Sequence, residues 1–176
     1  MNKAQAMTSL LPSKHVKGSE WRRWDLHVHT PHSQAGKAFQ GVSRDIYLNA
    51  LELEAGKRNI AVIGVTDYMS IEGYEALLEA KSNQGRLKTV ELLIPNIEFR
   101  IMPSTSDGKA LNLHLLVNPS DPDHVSRIKR ALSNLRFEYG GETYGCERPQ
   151  LIQFARAQKN GLGNDTQAYR YGIEQF

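Results

Sequence analysis

The stretch Ile60-Ala61-Val62-Ile63-Gly64-Val65-Thr66-Asp67 decides the fold class of this chain. Its apolar run is strand-sized and far shorter than the ~20 residues that a membrane span needs. An apolar run without alternation is typical of a strand that is covered on both faces, as in a parallel sheet between helices. The run stops at Asp67, and α/β proteins place their active sites at the carboxyl ends of such strands. Asp67 is therefore a candidate catalytic residue, although an acid at this position more often caps the following helix.

Helical patterns flank this strand on both sides. Upstream, Ser43 is the predicted N-cap of a helix that runs to about Ala55, with Gly56 at its C-terminal cap. Downstream, Ser70 is the predicted cap of a second helix, which ends near Gly85. The apolar residues that we expect on the buried side of the first helix are Ile46, Tyr47, Ala50, Leu51 and Leu53.

Strand and helix patterns continue to alternate along the rest of the chain, which predicts an α/β fold in a single domain. Further strands are predicted at 24–30, 90–94, 97–102 and 110–117, with Pro95 between the second and third and a turn at Asp107-Gly108 before the last. Further helices are predicted at about 121–135, 149–158 and 166–176, with a Gly-rich loop at 139–145. We expect residues 1–17 to form a flexible lead-in. Because the last pattern is still helical at Phe176, we also expect that the sequence has been cut.

The composition is that of a soluble globular protein. Of the 176 residues, 40% are hydrophobic and 23% are charged, with a net charge of +3 and a sequence pI of 9.0. The mild basic excess permits a phosphate-bearing partner but is more commonly a solvated surface. A lone Cys146 excludes an internal disulfide, and no segment resembles a signal peptide or a membrane span. We therefore expect a cytoplasmic protein with no membrane partner.

The first predicted strand carries the strongest chemical signal, Asp25-Leu26-His27-Val28-His29-Thr30. Alternate residues of a strand point to the same face, so His27 and His29 can direct both imidazoles at one metal ion. Asp25 lies on the same face by alternation and could orient an imidazole. The alternative is a pair of polar residues on a half-exposed strand.

Two later strands contribute further candidates. Glu98, in Pro95-Asn96-Ile97-Glu98-Phe99-Arg100, alternates with apolar residues, and a carboxylate held in this way can bridge two metal ions. Arg100 shares the face of Glu98 and could neutralise phosphate oxygens, although the two could also form a simple surface pair. His114 is a single histidine in an apolar strand, where a hydrogen-bonded core histidine is more common than a ligand.

Taken in order, these motifs resemble the PHP (polymerase and histidinol phosphatase) family. The stretches that carry the resemblance are Asp25-Leu26-His27-Val28-His29-Thr30, Gly64-Val65-Thr66-Asp67, Ile97-Glu98 and Leu113-His114-Leu115. More narrowly, residues 18–25 and 66–74 are similar to TrlF-type proteins, in which a PHP domain precedes an SMC-like ATPase. The resemblance implies that residues 18–176 are the N-terminal portion of a distorted (β/α)7 barrel, and that an ATPase domain is a partner in a longer protein.

The resemblance also implies a set of metal ligands. The family binds up to three divalent ions, which can be Zn, Mn or Fe. By that likeness, His27, His29 and Glu98 bind a first ion, and Glu98 bridges to another that His114 also binds. Two departures concern the remaining ligands: Tyr68 replaces a ligand histidine of the family, and its late Asp-x-His motif does not occur here. His32 could replace the missing histidine, but we consider this the less favoured alternative.

The function that the resemblance implies is metal-dependent hydrolysis of a phosphate ester. A nucleic-acid substrate would be consistent with Trp21-Arg22-Arg23-Trp24, which mixes aromatic and basic side chains, although we favour a structural role for a stretch that leads into a buried strand. The alternative function is a catalytically impaired PHP-like module that binds nucleic acid or serves as an accessory domain, and Tyr68 favours it. An ATPase within this chain is excluded because no GxxxxGK[ST] loop occurs.

Overall fold

The computed structural model describes residues 21–33, 39, 41–101, 106 and 111–175. The predicted lead-in at 1–17, the turn at Asp107-Gly108 and the terminal Phe176 lie outside these residues. In chain order, the elements of the described part are β1 (Arg23–His29), α1 (Arg44–Lys57), β2 (Ile60–Tyr68), α2 (Glu72–Asn83), β3 (Leu92–Ile101), β4 (Leu111–Leu116), α3 (His124–Asn134), β5 (Arg136–Tyr139), β6 (Glu142–Gly145), α4 (Arg148–Gln158) and α5 (Asp165–Gln175).

A curled, half-barrel sheet of four strands forms the centre of this mixed α/β fold, with the order β1-β2-β3-β4. The first three strands are parallel, and β4 runs antiparallel to β3. Residues 102–110, which join β3 to β4, are too few for the crossover that a parallel pair requires. The α/β class predicted from the sequence is thereby confirmed, while the seven-stranded barrel stays an expectation.

Strand β2 lies inside the sheet and is buried from Ile60 to Asp67, as its apolar run predicts. Helix α2 covers one face of the sheet with Tyr74, Leu77 and Ala80. At the end of β2 the chain turns through Met69, whose φ is 51°, and its backbone N–H donates to the Glu98 carbonyl. This sharp turn brings the start of α2 back over the carboxyl end of the sheet.

Helix α1 begins as predicted, because the Ser43 side chain accepts a hydrogen bond from the Ile46 backbone N–H. The predicted C-terminal cap at Gly56 is wrong, since the helix continues to Lys57 and its cap is Arg58. The predicted buried face is also wrong in part: Ile46 is 63% exposed, Leu53 is 57% exposed and Ala50 is exposed. The residues that face the core are Tyr47, Leu48, Leu51 and Ala55. Apolar residues surround most of this helix, so their spacing alone does not select one face.

Strand β3 passes through Pro95, where the sequence predicts an interruption. Proline lacks a backbone N–H and usually breaks an internal strand. Here the Pro95 carbonyl accepts from the Val117 backbone N–H, just beyond the end of β4. Pro95 therefore lies at the end of the β3–β4 ladder, where the lack of one backbone hydrogen bond costs little stability.

The Gly-rich loop that the sequence predicts at 139–145 is instead a β-hairpin. Strands β5 and β6 pair antiparallel around Gly140 and Gly141, which both have positive φ values of 62° and 84°. Two such glycines are typical of the tightest hairpin turns. After the hairpin, α4 and α5 pack closely, and Gly172 lies against the Leu151 carbonyl with no room for a side chain.

Candidate metal centre

Strand β1 has a bulge at Leu26 and His27. Residues Asp25 and Val28 pair with Ile63 and Val65, so two residues of β1 stand opposite the single Gly64 of β2. A Cβ atom at Gly64 would overlap the backbone of Leu26, and only glycine allows this close approach. His27 lies at this bulge, and its side chain is on the same face as that of His29, as alternation predicts.

Three ligand atoms converge on this face of the sheet. The Nε2 atoms of His27 and His29 are 3.0 Å apart, and they lie 3.4 Å and 3.2 Å from Oε2 of Glu98. Ligand atoms that bind one Zn²⁺ at its usual bond lengths lie about 3.0–3.4 Å from each other. The three residues therefore have the spacing of a metal centre, and we call them the His-His-Glu cluster.

Glu98 is the buried member of the cluster. Its side chain is 1% exposed, and it lies between Tyr68 of β2 and His114 of β4 in the sheet register. Oε2 has no hydrogen-bond donor among the described residues, although the two imidazole Nε2 atoms lie near it. A buried carboxylate oxygen without a donor is costly, and a divalent cation would satisfy it together with both imidazoles.

The pKa of Glu98 reflects the same surroundings. Burial acts to raise it, but the imidazoles of His29, His114 and His27 together outweigh burial and hold the pKa below its ordinary value. The carboxylate is therefore ionised at neutral pH, which is the form that binds a cation.

His29 is held from two sides. Its Nδ1 atom lies 3.0 Å from Oγ of the buried Ser33, and the Tyr47 hydroxyl donates to its backbone carbonyl at 2.8 Å. When Nδ1–H donates to Ser33, Nε2 keeps its lone pair and points at Glu98. Neither Ser33 nor Tyr47 was a candidate in the sequence, since their contacts depend on how the loop after β1 folds.

His114 lies beside the cluster and not within it. Its ring centroid is 4.5 Å from that of His27, and its Nδ1 is 3.2 Å from Oδ1 of Asn96. Among the described residues, the acids and histidines whose ligand atoms come together are His27, His29 and Glu98. The structure therefore brings three of the four predicted ligands into one group and places the fourth next to it.

Tyr68 and Arg100 form one wall of the site. The Tyr68 ring stacks on His29 with a centroid distance of 5.1 Å, and the Arg100 guanidinium lies 5.4 Å from the centre of the Tyr68 ring. Tyr68 is also the register partner of Glu98 on the neighbouring strand. Burial, followed by the charge of Glu98, raises the pKa of Tyr68, so the phenol stays neutral and is a poor metal ligand.

Asp67, the candidate catalytic acid, has a different environment. It is 1% exposed, and its two oxygens accept from the Thr30 hydroxyl and the Gly73 backbone N–H, each at 2.8 Å. These bonds join the end of β1 to the start of α2. A catalytic role for Asp67 stays a prediction, whereas its contacts are those of a residue that holds the site together.

Two other candidates, Asp25 and His32, lie outside the His-His-Glu cluster. The Asp25 carboxylate, which could orient an imidazole, instead accepts from the backbone N–H of His27 at 3.3 Å. The imidazole of His32 lies 4.0 Å from Glu72 and is outside the His-His-Glu cluster. The less favoured alternative, in which His32 replaces the missing ligand, therefore gains no support from this arrangement.

Comparisons with known proteins add no assignment to this geometry. No protein-family model matches the sequence, and no curated protein matches it. None of the described helices is both long and apolar enough to cross a membrane. The candidate site therefore rests on its own geometry, and the resemblance to the PHP family stays a prediction.

Proposed function

We propose that this protein binds divalent metal at His27, His29 and Glu98 and hydrolyses phosphate esters. The observation that supports the proposal is the convergence of two imidazole nitrogens on a buried carboxylate oxygen that has no hydrogen-bond donor among the described residues. Two imidazoles and a carboxylate suit Zn, Mn or Fe. A bound divalent ion of this kind supplies Lewis acidity and an activated water near neutral pH.

Arg100 is our proposed binding residue for the phosphate. Its guanidinium packs over Tyr68 beside the cluster, and its buried Nε has no hydrogen-bond partner in the described part of the chain. An unused donor on a fixed guanidinium is suited to an anionic oxygen, which it can bind with a charge-assisted hydrogen bond. In this proposal Tyr68 orients both Glu98 and Arg100, because it pairs with Glu98 in the sheet register and its ring packs against the Arg100 guanidinium.

We further propose single-stranded nucleic acid as the phosphate-containing partner. Trp21 is fully exposed and Trp24 is 58% exposed, so this stretch does not lead into a buried strand as expected. The amino end of β1 and β2 also presents Arg23, Lys57 and Arg58 around a polar cleft of about 500 Å³. Exposed indole rings beside cationic groups suit stacked bases and backbone phosphates.

The test uses metal-free protein that is reloaded with Mn²⁺ or Zn²⁺. Bound metal is measured by mass spectrometry, and turnover is measured with bis(p-nitrophenyl) phosphate and with a single-stranded oligonucleotide. We expect at least one ion per chain and metal-dependent hydrolysis. Both are lost in the double variant His27→Ala, His29→Ala and kept in the control His32→Ala, which removes an imidazole outside the cluster.

The outcomes separate the two candidate functions. Metal binding without hydrolysis of either compound would support the alternative of an impaired binding module. The stacking of Tyr68 on His29, at the position of a ligand histidine in the PHP family, favours that alternative. Absence of metal from the wild-type protein would contradict both.

A further inference from the structure

Asn96 is a buried polar residue that no part of the proposed chemistry uses. It lies on β3, two residues before Glu98 and on the same face, and it pairs with Thr66 of β2 and Leu116 of β4. Its side chain is thus in the middle of the sheet, directly beneath the His-His-Glu cluster. A buried amide at such a position needs a partner for every polar atom.

The partners of Asn96 determine how its amide is oriented. Nδ2 lies 2.8 Å from the Leu26 carbonyl and 2.9 Å from the Thr66 hydroxyl oxygen. The Leu26 carbonyl can only accept, and the Thr66 hydroxyl donates its own proton to the Gly64 carbonyl. Both neighbours therefore need N–H donors, and the amide nitrogen supplies two. The remaining atom, Oδ1, must face His114.

This orientation decides the tautomer of His114. Oδ1 is an acceptor and lies 3.2 Å from Nδ1, so the imidazole must carry its proton on Nδ1. In the neutral imidazole, Nε2 then has a free lone pair. An imidazole whose Nδ1–H is held by an oxygen acceptor is in the form that binds metal through Nε2.

The same side chain holds the β1 bulge. A bulge removes a residue from the regular ladder, and the carbonyl of Leu26 lies in this bulge, next to His27. Asn96 supplies the hydrogen bond to that carbonyl, which fixes the backbone next to His27. One amide thus acts on β1 and β4 at once.

We propose that Asn96 is a positioning residue for the metal centre, which holds the bulge that carries His27 and sets the Nε2-free tautomer of His114. The inference rests on the metal binding of the proposed function and not on hydrolysis. Asn96 contacts no metal in this proposal and acts through the two histidines.

Two substitutions separate its two roles. Asn96→Asp has nearly the same shape and still accepts from His114, but it cannot donate to the Leu26 carbonyl. Asn96→Leu removes both interactions. The matched control is Asn112→Asp, which makes the same change at an exposed residue of β4. Zn²⁺ affinity is measured by calorimetry, and the tautomer of His114 is measured by ¹⁵N NMR of the metal-free protein.

We expect Zn²⁺ affinity to fall about 10- to 100-fold in both Asn96 variants, the usual range for residues that orient metal ligands. His114 should carry its proton on Nδ1 in the wild type and in Asn96→Asp, and lose that preference in Asn96→Leu. Asn112→Asp should match the wild type in both measurements. A thermal melt of each metal-free variant establishes that it is folded, and Asn96→Asp decides the metal result if Asn96→Leu does not fold.

Unchanged Zn²⁺ affinity in Asn96→Asp would overturn the role in holding the bulge. Wild-type His114 with its proton on Nε2 would overturn the role in setting the tautomer. Wild-type protein that binds no metal would instead contradict the proposed function. The tautomer measurement needs no metal, so it decides the inference about His114 in that case as well.

Discussion

Two buried carboxylates on neighbouring strands, Asp67 on β2 and Glu98 on β3, have opposite surroundings. Each is 1% exposed. Both oxygens of Asp67 accept hydrogen bonds from within the protein, whereas Oε2 of Glu98 has no donor and faces two imidazoles. Burial of a carboxylate is unfavourable unless its oxygens are satisfied. The hydrogen bonds of Asp67 come from the fold itself, while those of Glu98 are incomplete without a ligand.

The pKa values of the two carboxyl groups are shifted in opposite directions, in line with these surroundings. Burial is the largest influence on Asp67 and raises its pKa, even though the bonds from Thr30 and Gly73 act against it. Burial also acts on Glu98, but the surrounding imidazoles outweigh it and lower its pKa. A structural acid and a ligand acid can therefore be equally buried and still have their pKa values shifted in opposite directions.

The largest expected effect is on the Asp67 side of this comparison. A Cβ atom at Gly73 would overlap both the Thr30 hydroxyl and the Asp67 carboxylate. We expect Gly73→Ala to lower the free energy of unfolding by about 3 kcal/mol, at the upper end of the usual cost of overpacking a core. Chemical denaturation of the metal-free protein measures the change.

A matched glycine provides the control for this substitution. A Cβ atom at Gly56, inside α1, would have no atom within 4 Å. Gly56→Ala should therefore stabilise the protein by about 0.5–1 kcal/mol, because alanine loses less backbone entropy in a helix. Equal effects of the two substitutions would contradict the close packing that we describe around Asp67.

On the Glu98 side, the main effect should be on metal binding. Glu98→Gln keeps the shape of the side chain but replaces the carboxylate with a weakly binding amide. We expect Zn²⁺ affinity to fall more than about 100-fold, since even residues that only orient metal ligands contribute about 10- to 100-fold. The free energy of unfolding of the metal-free protein should change by less than about 1 kcal/mol, because Oε2 has no hydrogen bond to lose. If Glu98→Gln lost much stability but kept its Zn²⁺ affinity, Glu98 would be a structural acid and not a metal ligand.

Much of the fold follows from local sequence patterns. The unbroken apolar run of β2 predicts a buried central strand, and Ser43 predicts the start of α1. The burial of α1 could not be predicted, because apolar residues occur on most of its sides and tertiary contacts select the face. The sequence predicts a loop where β5 and β6 form a hairpin, because glycine-rich stretches such as Gly140-Gly141 are typical of loops, although a pair of glycines between short strands is also a hairpin signal.

The ligands of the candidate site are easier to predict from the sequence than the residues that hold those ligands in position. His27, His29 and Glu98 belong to short motifs in which alternation along a strand indicates a shared face. The support from Asn96 could not be predicted, because its contacts join residues 70 positions and 30 positions away. The bulge opposite Gly64 could not be predicted either, since it exists only in the register between β1 and β2.

The smallest expected effect concerns the pH dependence that Asp67 contributes. Because its pKa is raised above the model-peptide value of 3.8, the folded protein keeps this proton to a higher pH than the unfolded chain does. Unfolding therefore releases a proton within that window, and the contribution of Asp67 to stability falls as the pH rises from about 4 to the raised pKa. Asp67→Asn has no such proton, so the stability difference between wild type and variant should shrink across the window and be constant above it.

At neutral pH we expect the variant to be less stable by about 1–2 kcal/mol, since an amide can accept from only one of the two donors, Thr30 and Gly73, through its single oxygen. Denaturant titrations of both proteins between pH 4 and pH 8 measure the difference, and a gap that widens with pH would show that hydrogen bonds dominate burial at this carboxylate.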